Sequence, residues 1–420
     1  MADRVLILGA GIIGLSSAWH ALRRGFRVTV VDRGESTRDG CSFGNAGMVV
    51  PSHFIPLAAP GVVWQGIKWM WNPESPFYIR PRLSWDLLSW GLRFWWASSA
   101  RRVRAAAPVL RDLNFASRVI YEEWNADVSS GPGAFGLETK GLLMLCQTAH
   151  GFHEEAQFAD RANALGVPAQ VLDATAAKAM EPGIAMDIEG AVYFPRDCHL
   201  DPNRLMAGLE AKCRSMGANF QFQTEVTGFI RDGKRLKGAT TTAGEIEADQ
   251  VVLAAGSWSP LVARRLGLGL PMQAGKGYSV TLPSPRKMPC LCSILTEARV
   301  AVTPMGGKLR VGGTMELSGL SEEVAPARVR GIQRLFCRYY QDFKETDFEG
   351  LKPWKGLRPC SPDGLPYLGR SRKIPNLVIA TGHAMMGLSL GPVTGKLVGE
   401  LLDNAPASID LSLLAPERYG

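Results

Sequence analysis

The first thirty residues constrain the fold more than any other part of the chain. Val5-Leu6-Ile7-Leu8 is an apolar run that reads as a buried strand. Gly9-x-Gly11-x-x-Gly14 follows and opens a helical segment with small residues at Ala18 and Ala21, and a second apolar run, Val28 to Val31, ends at Asp32. Strand, glycine-rich turn, helix, second strand and acid, in that order, are the parts of a dinucleotide-binding βαβ unit. Gly9 makes the tight turn, Gly11 lets a pyrophosphate reach bare backbone, and Gly14 lets helix and strand pack closely. The unpaired N–H groups and the dipole of the helix N-terminus hold the anion. Asp32 is placed to accept hydrogen bonds from a ribose.

At 420 residues the chain exceeds the size that one hydrophobic core usually serves, so two domains are expected. Its glycines and prolines are spread without repeat or low complexity, as in an enzyme with many short connections. The eight cysteines are scattered, and Met1-Ala2-Asp3 runs into a strand without a secretory signal, which predicts free thiols in a reducing, cytoplasmic setting. Cys290-x-Cys292 has no partner histidine pair, so no metal site is expected. The formal charge of +8 comes with no basic helix interleaved with aromatics and no finger spacing, which argues against a nucleic-acid partner. Between Pro60 and Arg104, however, lie Trp64, Trp69, Trp71, Trp85, Trp90, Trp95 and Trp96, seven of the 11 tryptophans. Tryptophans beside arginines suit an interfacial membrane anchor, and equally core or subunit packing. No run reaches the roughly 18 apolar residues of a spanning helix.

Three further segments bear on the site. Gly40 to Met48 carries small residues at Ser42, Gly44, Ala46 and Gly47 around Asn45, permitting close approach of a planar ligand and offering donors to a phosphate or ring. Asp249 to Gly256 reads as an apolar strand ending in small residues, with Ser257-Trp258-Ser259-Pro260 starting a helix. In a doubly wound sheet that ending places Ala255 and Gly256 on the same edge as Gly9 to Gly14. Near the C-terminus, Asn376 to Gly382 reads as a strand, and His383 to Pro392 leads into a helix over Val393 to Leu402. That helix start supplies a second positive dipole end, which suits a flavin, whose pyrimidine edge gains negative charge on reduction.

Taken in order, GAGIIG with Asp32, Ser-Phe-Gly-Asn-Ala-Gly, Pro195-x-Asp197 with Asp201-Pro202, Ala254-Ala-Gly256, Lys276-Gly-Tyr278, Gly-Leu-Arg-Pro-x-x-Pro-Asp-Gly and Ala-Thr-Gly-His resemble the D-amino acid oxidase superfamily of FAD enzymes. Within it, the tryptophan-rich segment, especially Asn72 to Pro81, is similar to the small-subunit type of bacterial D-amino acid dehydrogenase. The resemblance implies a mixed α/β fold with a Rossmann-like FAD domain from 1–58, 190–263 and 352–420, and a discontinuous substrate domain from 59–189 and 264–351. It implies noncovalent FAD, since Cys360 does not fall where relatives with covalent flavin carry their cysteine. The cofactor-binding set it implies is Gly9, Gly11, Gly14, Asp32, Arg33, Ser42, Asn45, Ala46, Gly47, Val226 at the adenine, Ala255, Gly256, Trp258 and Gly382, with Gly387, Leu388 and Ser389 offering amides to the flavin.

For the reaction the resemblance implies hydride transfer from the substrate α-carbon to flavin N5, giving an imino acid, or a cyclic imine from a proline-like substrate. Such chemistry rests on positioning and electrostatics rather than on an acid–base pair. Arg358 matches the position that takes the substrate carboxylate in a bidentate fork. Tyr278 is expected to offer its hydroxyl to the same carboxylate, and His383 to hydrogen-bond near ring or substrate; His199 and His53 are weaker candidates. Where some relatives carry a second arginine, Ala384-Met385-Met386 forms an apolar wall favouring a hydrophobic or cyclic side chain. A quinone acceptor would call for a membrane-facing surface, met through residues 60–104 on the inner face of the cytoplasmic membrane. Three alternatives stay open: a D-proline or cis-4-hydroxy-D-proline dehydrogenase, an oxygen-using glycine- or sarcosine-type amine oxidase, and a noncatalytic or tRNA-modifying flavoprotein.

Overall fold

The computed structural model describes residues 3–69, 74–128 and 135–419. Trp71, Asn72 and Pro73 lie outside the described residues. Strand Arg4–Leu8 pairs in parallel with Arg27–Val31 on one side and Gln250–Leu253 on the other. Asn219–Gln221 extends the sheet beyond the former and Leu377–Thr381 beyond the latter, while Tyr367–Arg370 closes the edge antiparallel. Near-continuous apolar runs suit strands covered on both faces. One face, through Val5, Ile7, Val28 and Val252, packs on helices Ile12–Arg23 and Gly387–Leu402. The other, through Leu6, Leu8, Val251 and Leu253, packs under the antiparallel sheet of Val226–Asp232, Arg235–Thr241 and Gly244–Glu247.

A second, nine-stranded sheet runs in the order Trp354–Cys360, Gln273–Leu282, Lys308–Leu317, Val300–Met305, Cys292–Leu295, Leu142–Cys146, Gly190–Phe194, Gln170–Asp173, with Phe77–Ile79 paired to Lys308–Leu317. Gly190–Phe194 and Trp354–Cys360, grouped by the sequence with the cofactor domain, are hydrogen-bonded into this sheet. Helix Pro326–Tyr339 buries Val329, Ile332 and Phe336 against its far side.

The tryptophan-rich segment runs into two helices, Trp85–Ala97 and Ala100–Val128, broken at Ser98-Ser99, where the Ser98 hydroxyl donates to the Phe94 carbonyl at 2.8 Å. One helical expectation is revised. The last helix begins at Gly387 rather than after Pro392. Pro392 has no N–H for the Leu388 carbonyl four residues back. The buried hydroxyl of Tyr121 donates to that carbonyl instead, at 2.7 Å, so the helix continues through the proline without an orphaned acceptor.

Candidate active site

The carboxyl ends of the parallel strands open onto a cleft of about 540 Å3 that runs along the sheet edge to strand Trp354–Cys360. At its nucleotide end the βαβ glycines are required sterically. Gly9 has φ +108°, and a Cβ on Gly14 would lie 1.8 Å from the Gly9 carbonyl oxygen. Gly11 faces the cleft, and its N–H has no acceptor among the described residues. Asp32 accepts from the N–H of Ala10 (2.7 Å) and of Gly34 (2.8 Å), one to each carboxylate oxygen, which fixes the carboxylate and leaves each oxygen a further lone pair. The Ser42 hydroxyl oxygen accepts from the Ile12 N–H at 3.0 Å, tying the second glycine-rich segment to the helix start. Arg33 stacks on Trp258 at 4.0 Å, and both line the cleft together with Asn45, Val226, Ala255 and Gly256.

The opposite end is built on the large sheet. Arg358 pairs in register with Gly275, and a Cβ on Gly277 would sit 2.2 Å from its guanidinium, so the bare glycine gives that group room to lie across the strand. The guanidinium donates to the carbonyl of Thr314 and makes no ion pair among the described residues. Thr314 holds φ +70°, a costly conformation for a β-branched residue, of order 1–3 kcal/mol, in buried surroundings. Ala384, with φ +47°, and Met385 line the cleft, whereas Met386, expected in the same apolar wall, does not. His383 also lines the cleft. One ring nitrogen, Nε2, lies 3.0 Å from the Thr394 hydroxyl, and Nδ1 has no hydrogen-bond partner among the described residues. Burial pushes its pKa down to about 3, so the imidazole is neutral. Gly387 and Leu388, at the N-terminus of the last helix, complete the lining.

Tyr278 is not brought into the cleft. Strand alternation turns it to the face opposite Gly275 and Gly277, where its hydroxyl donates to Glu316 at 2.8 Å and accepts from the Ala325 N–H. Glu316 in turn pairs with the buried Lys276 and Arg328, so the tyrosine serves an internal ionic cluster. Five of the expected cofactor residues are likewise off the cleft surface: Gly14, Ala46, Gly47, Gly382 and Ser389. Gly14 acts through packing. The Ser389 hydroxyl donates to Asn114 at 2.6 Å and accepts from the Val50 N–H, which anchors the helix start. His53 meets Ser52 at 3.0 Å, and His199 lines a separate crevice with Asp201 and Arg204.

The sequence reading also passed over Arg38, which lines the cleft. Its guanidinium donates twice to the Ala10 carbonyl, pairs with Glu210 at 2.9 Å and stacks on Phe43 and Phe222. A basic residue just beyond Asp32 was its only signal. Arg265, Cys41 and Glu322 are among the other cleft-lining residues missed. Among the described residues no three His, Cys, Asp or Glu side chains converge on a metal position, and all eight cysteines are free.

A family model described as FAD dependent oxidoreductase matches residues 4–401. The chain belongs to that family. Its cofactor is FAD, and the residues present fit it: an open Gly11 amide, a held acid at Asp32 and a cleft continuing to a helix N-terminus. Relatives of this oxidoreductase include D-amino acid dehydrogenases of Paramagnetospirillum magneticum, 32% identical over 99% of both chains, and of Agrobacterium fabrum, 34% identical over 99% of both. Among solved structures, glycine oxidase from Geobacillus kaustophilus is similar over 100% of each chain, with a TM-score of 0.79 and 25% identity. L-proline dehydrogenase from P. horikoshii shares the fold, with a TM-score of 0.75 and 19% identity over 100% of this chain and 98% of its own.

Proposed function

We propose that this FAD-dependent oxidoreductase is a D-amino acid dehydrogenase for a small apolar or cyclic substrate. The observation that carries the reading is Arg358, a cleft-lining guanidinium with no carboxylate partner among the described residues, set beside the apolar side chains of Ala384 and Met385. Such a cation is matched by a substrate carboxylate in a two-point fork. The D configuration is taken from the relatives, whose names specify it. Bound FAD supplies the acceptor for the hydride that leaves the α-carbon, and water hydrolyses the resulting imino acid to the 2-oxo acid. Arg358 fixes the carboxylate, the Thr314 carbonyl fixes Arg358, and the neutral imidazole of His383 sets no positive charge beside the amine, which reacts as the free base so that its lone pair can form the C=N bond as the hydride leaves. The side chain then lies toward Ala384 and Met385, which exclude water from it.

The acceptor in this reading is a quinone delivered from a membrane surface, with the enzyme on the inner face of the cytoplasmic membrane. Helix Trp85–Ala97 carries Trp85, Leu88, Leu92, Trp95 and Trp96 at helical spacing, and every one is exposed, Trp85 by 79% and Leu92 by 69%. Leu83, just before this helix, and Trp64, on helix Val62–Trp69, are also exposed, and Arg102 lies 3.5 Å over the Trp96 ring. An apolar stripe edged with arginines suits an anionic lipid surface. Trp90, on the other side of the helix, is buried and donates to the Cys360 carbonyl at 2.9 Å, next to Arg358's strand neighbours. Exposed Met385 and Leu261 put apolar groups at the cleft itself. Among the described residues no helix is long and apolar enough to cross a membrane.

The test is spectroscopic. Under anaerobic conditions the flavin absorbance of the holoenzyme should bleach with D-proline, cis-4-hydroxy-D-proline or D-alanine and persist with their L-enantiomers; bleaching by L-amino acids alone would refute the reading. Reoxidation by a soluble quinone faster than by oxygen is expected, and the reverse order makes it an oxidase. For the surface, the wild type should sediment with vesicles containing anionic lipid and the Leu92→Ser/Trp95→Ser/Trp96→Ser variant should not. Equal sedimentation of the two would remove the lipid assignment.

A further inference from the structure

The motif Lys276-Gly277-Tyr278 lies where strands Gln273–Leu282 and Lys308–Leu317 fall out of step. Lys276 is opposite Glu316 and Tyr278 is opposite Gly313, so Gly277 faces both Thr314 and Met315. Two residues against one make a β-bulge, and a left-handed residue in a bulge is ordinarily glycine. Here it is Thr314, at φ +70°. A β-branched residue stays in that conformation only where its surroundings over-determine it. What the bulge achieves is seen at Arg358, whose guanidinium lies across Gly277 and donates to the Thr314 carbonyl.

The surroundings that hold the bulge lie on the other face of the same strands. Glu316, two residues beyond Thr314, is buried together with Lys276, Tyr278 and Arg328, and none of the four lines the cleft. Its Oε1 is 3.4 Å from the Lys276 ammonium, while its Oε2 accepts from the Tyr278 hydroxyl at 2.8 Å and is 3.4 Å from Nε of Arg328. One carboxylate thus grips the facing strand and helix Pro326–Tyr339 together. The two cations reach further, Lys276 donating to the Glu323 carbonyl at 2.6 Å and Arg328 to the Ser75 carbonyl at 3.1 Å. Beside them the N–H of Met315, inside the bulge, donates to the Pro76 carbonyl at 2.7 Å. Burying two cations with one carboxylate gains little stability, since apolar side chains of similar volume do as well or better; fixing register is the best attested use of such clusters.

We propose that Glu316 is a positioning residue for substrate binding: with Lys276 and Arg328 it clamps the Thr314-Met315 bulge, and the bulge holds Arg358 in the orientation that receives the substrate carboxylate. The proposal rests on the reading of Arg358 given above. The test uses FAD-loaded enzyme with D-alanine as substrate, and propionate, the same carboxylate without the amine, as a probe read by its perturbation of the flavin spectrum. In Lys276→Met/Glu316→Gln/Arg328→Met no charge is left unpaired and the glutamine still accepts from Tyr278, so the melting temperature should stay close to that of the wild type. KM for D-alanine and Kd for propionate should nonetheless rise about tenfold, with kcat changed by about threefold at most. In an Arg358→Met background the same three changes should alter each constant by about twofold at most, because residues that act through one another are not additive. Wild-type constants in the triple variant would overturn the proposal, as would a tenfold effect that persists without Arg358. If the triple variant does not fold, Arg328→Met alone, which leaves Lys276 and Glu316 as a neutral pair, should raise both constants about threefold, and unchanged constants overturn the proposal equally. A large loss in Arg358→Met beside an unaffected triple variant removes the clamp and leaves the substrate reading standing, whereas no loss in Arg358→Met removes both.

Discussion

Replacing Arg358 by methionine is expected to lower kcat/KM for a D-amino acid by about 30- to 5,000-fold while FAD stays bound and its spectrum barely changes. The magnitude follows from removing one partner of a desolvated charge pair, worth roughly 2–5 kcal/mol. Methionine keeps the aliphatic stem of arginine and removes the guanidinium that lies over Gly277, so the substrate carboxylate loses its partner. Lysine should recover part of the loss, because it restores the charge as a point donor but cannot form the two-point fork. The measurement is anaerobic flavin reduction across a range of substrate concentrations. A loss smaller than tenfold with methionine would mean that the carboxylate is held elsewhere, and the substrate orientation proposed above would have to be abandoned.

The second large effect is expected at Gly14. An alanine there would press its Cβ against the Gly9 carbonyl oxygen, which belongs to backbone and not to a side chain that can swing aside. Gly9 cannot yield, since its N–H is bonded to the Val31 carbonyl at 2.8 Å and its own φ is already in the left-handed region. Overpacking of this kind costs about 1–3 kcal/mol even where side chains can adjust. Here the cost falls on the turn that receives the pyrophosphate. Gly14→Ala should therefore purify colourless, with a melting temperature several degrees lower and little restored by added FAD. A yellow variant with wild-type melting would show that the helix and strand can separate without loss of the cofactor site.

Why Asp32 and the three glycines were legible while Tyr278 was not is a matter of range. The βαβ unit is local: one apolar run, one turn and one helix determine where each glycine stands, and all are read within thirty residues. Tyr278 lies on a ten-residue strand whose neighbours come from 308–317 and 354–360, with a register irregularity beside Lys276 and Tyr278. The face on which each residue emerges depends on that register, and a single-residue slip exchanges the faces. Arg358 was legible as a motif, yet its support by Thr314 was not, since a threonine with positive φ runs against every local preference. Arg38 was missed for a related reason. Its partner, the carbonyl of residue 10, is a backbone atom, which carries no side-chain signature at all.

The helix Ile12–Arg23 finds its principal partner in Gly387–Leu402, at the far end of the chain. During synthesis the nucleotide-binding segment emerges first and must wait for nearly the whole polypeptide before its apolar side is covered. Until then two strands of its sheet, 367–370 and 377–381, have not left the ribosome, and the helix start carrying Leu388 does not exist. Maturation is therefore a single late event, in which chain completion, closure of the sheet and capture of the cofactor coincide. A protein ending just before Tyr367 would lose all three together rather than survive as a pale, half-assembled enzyme.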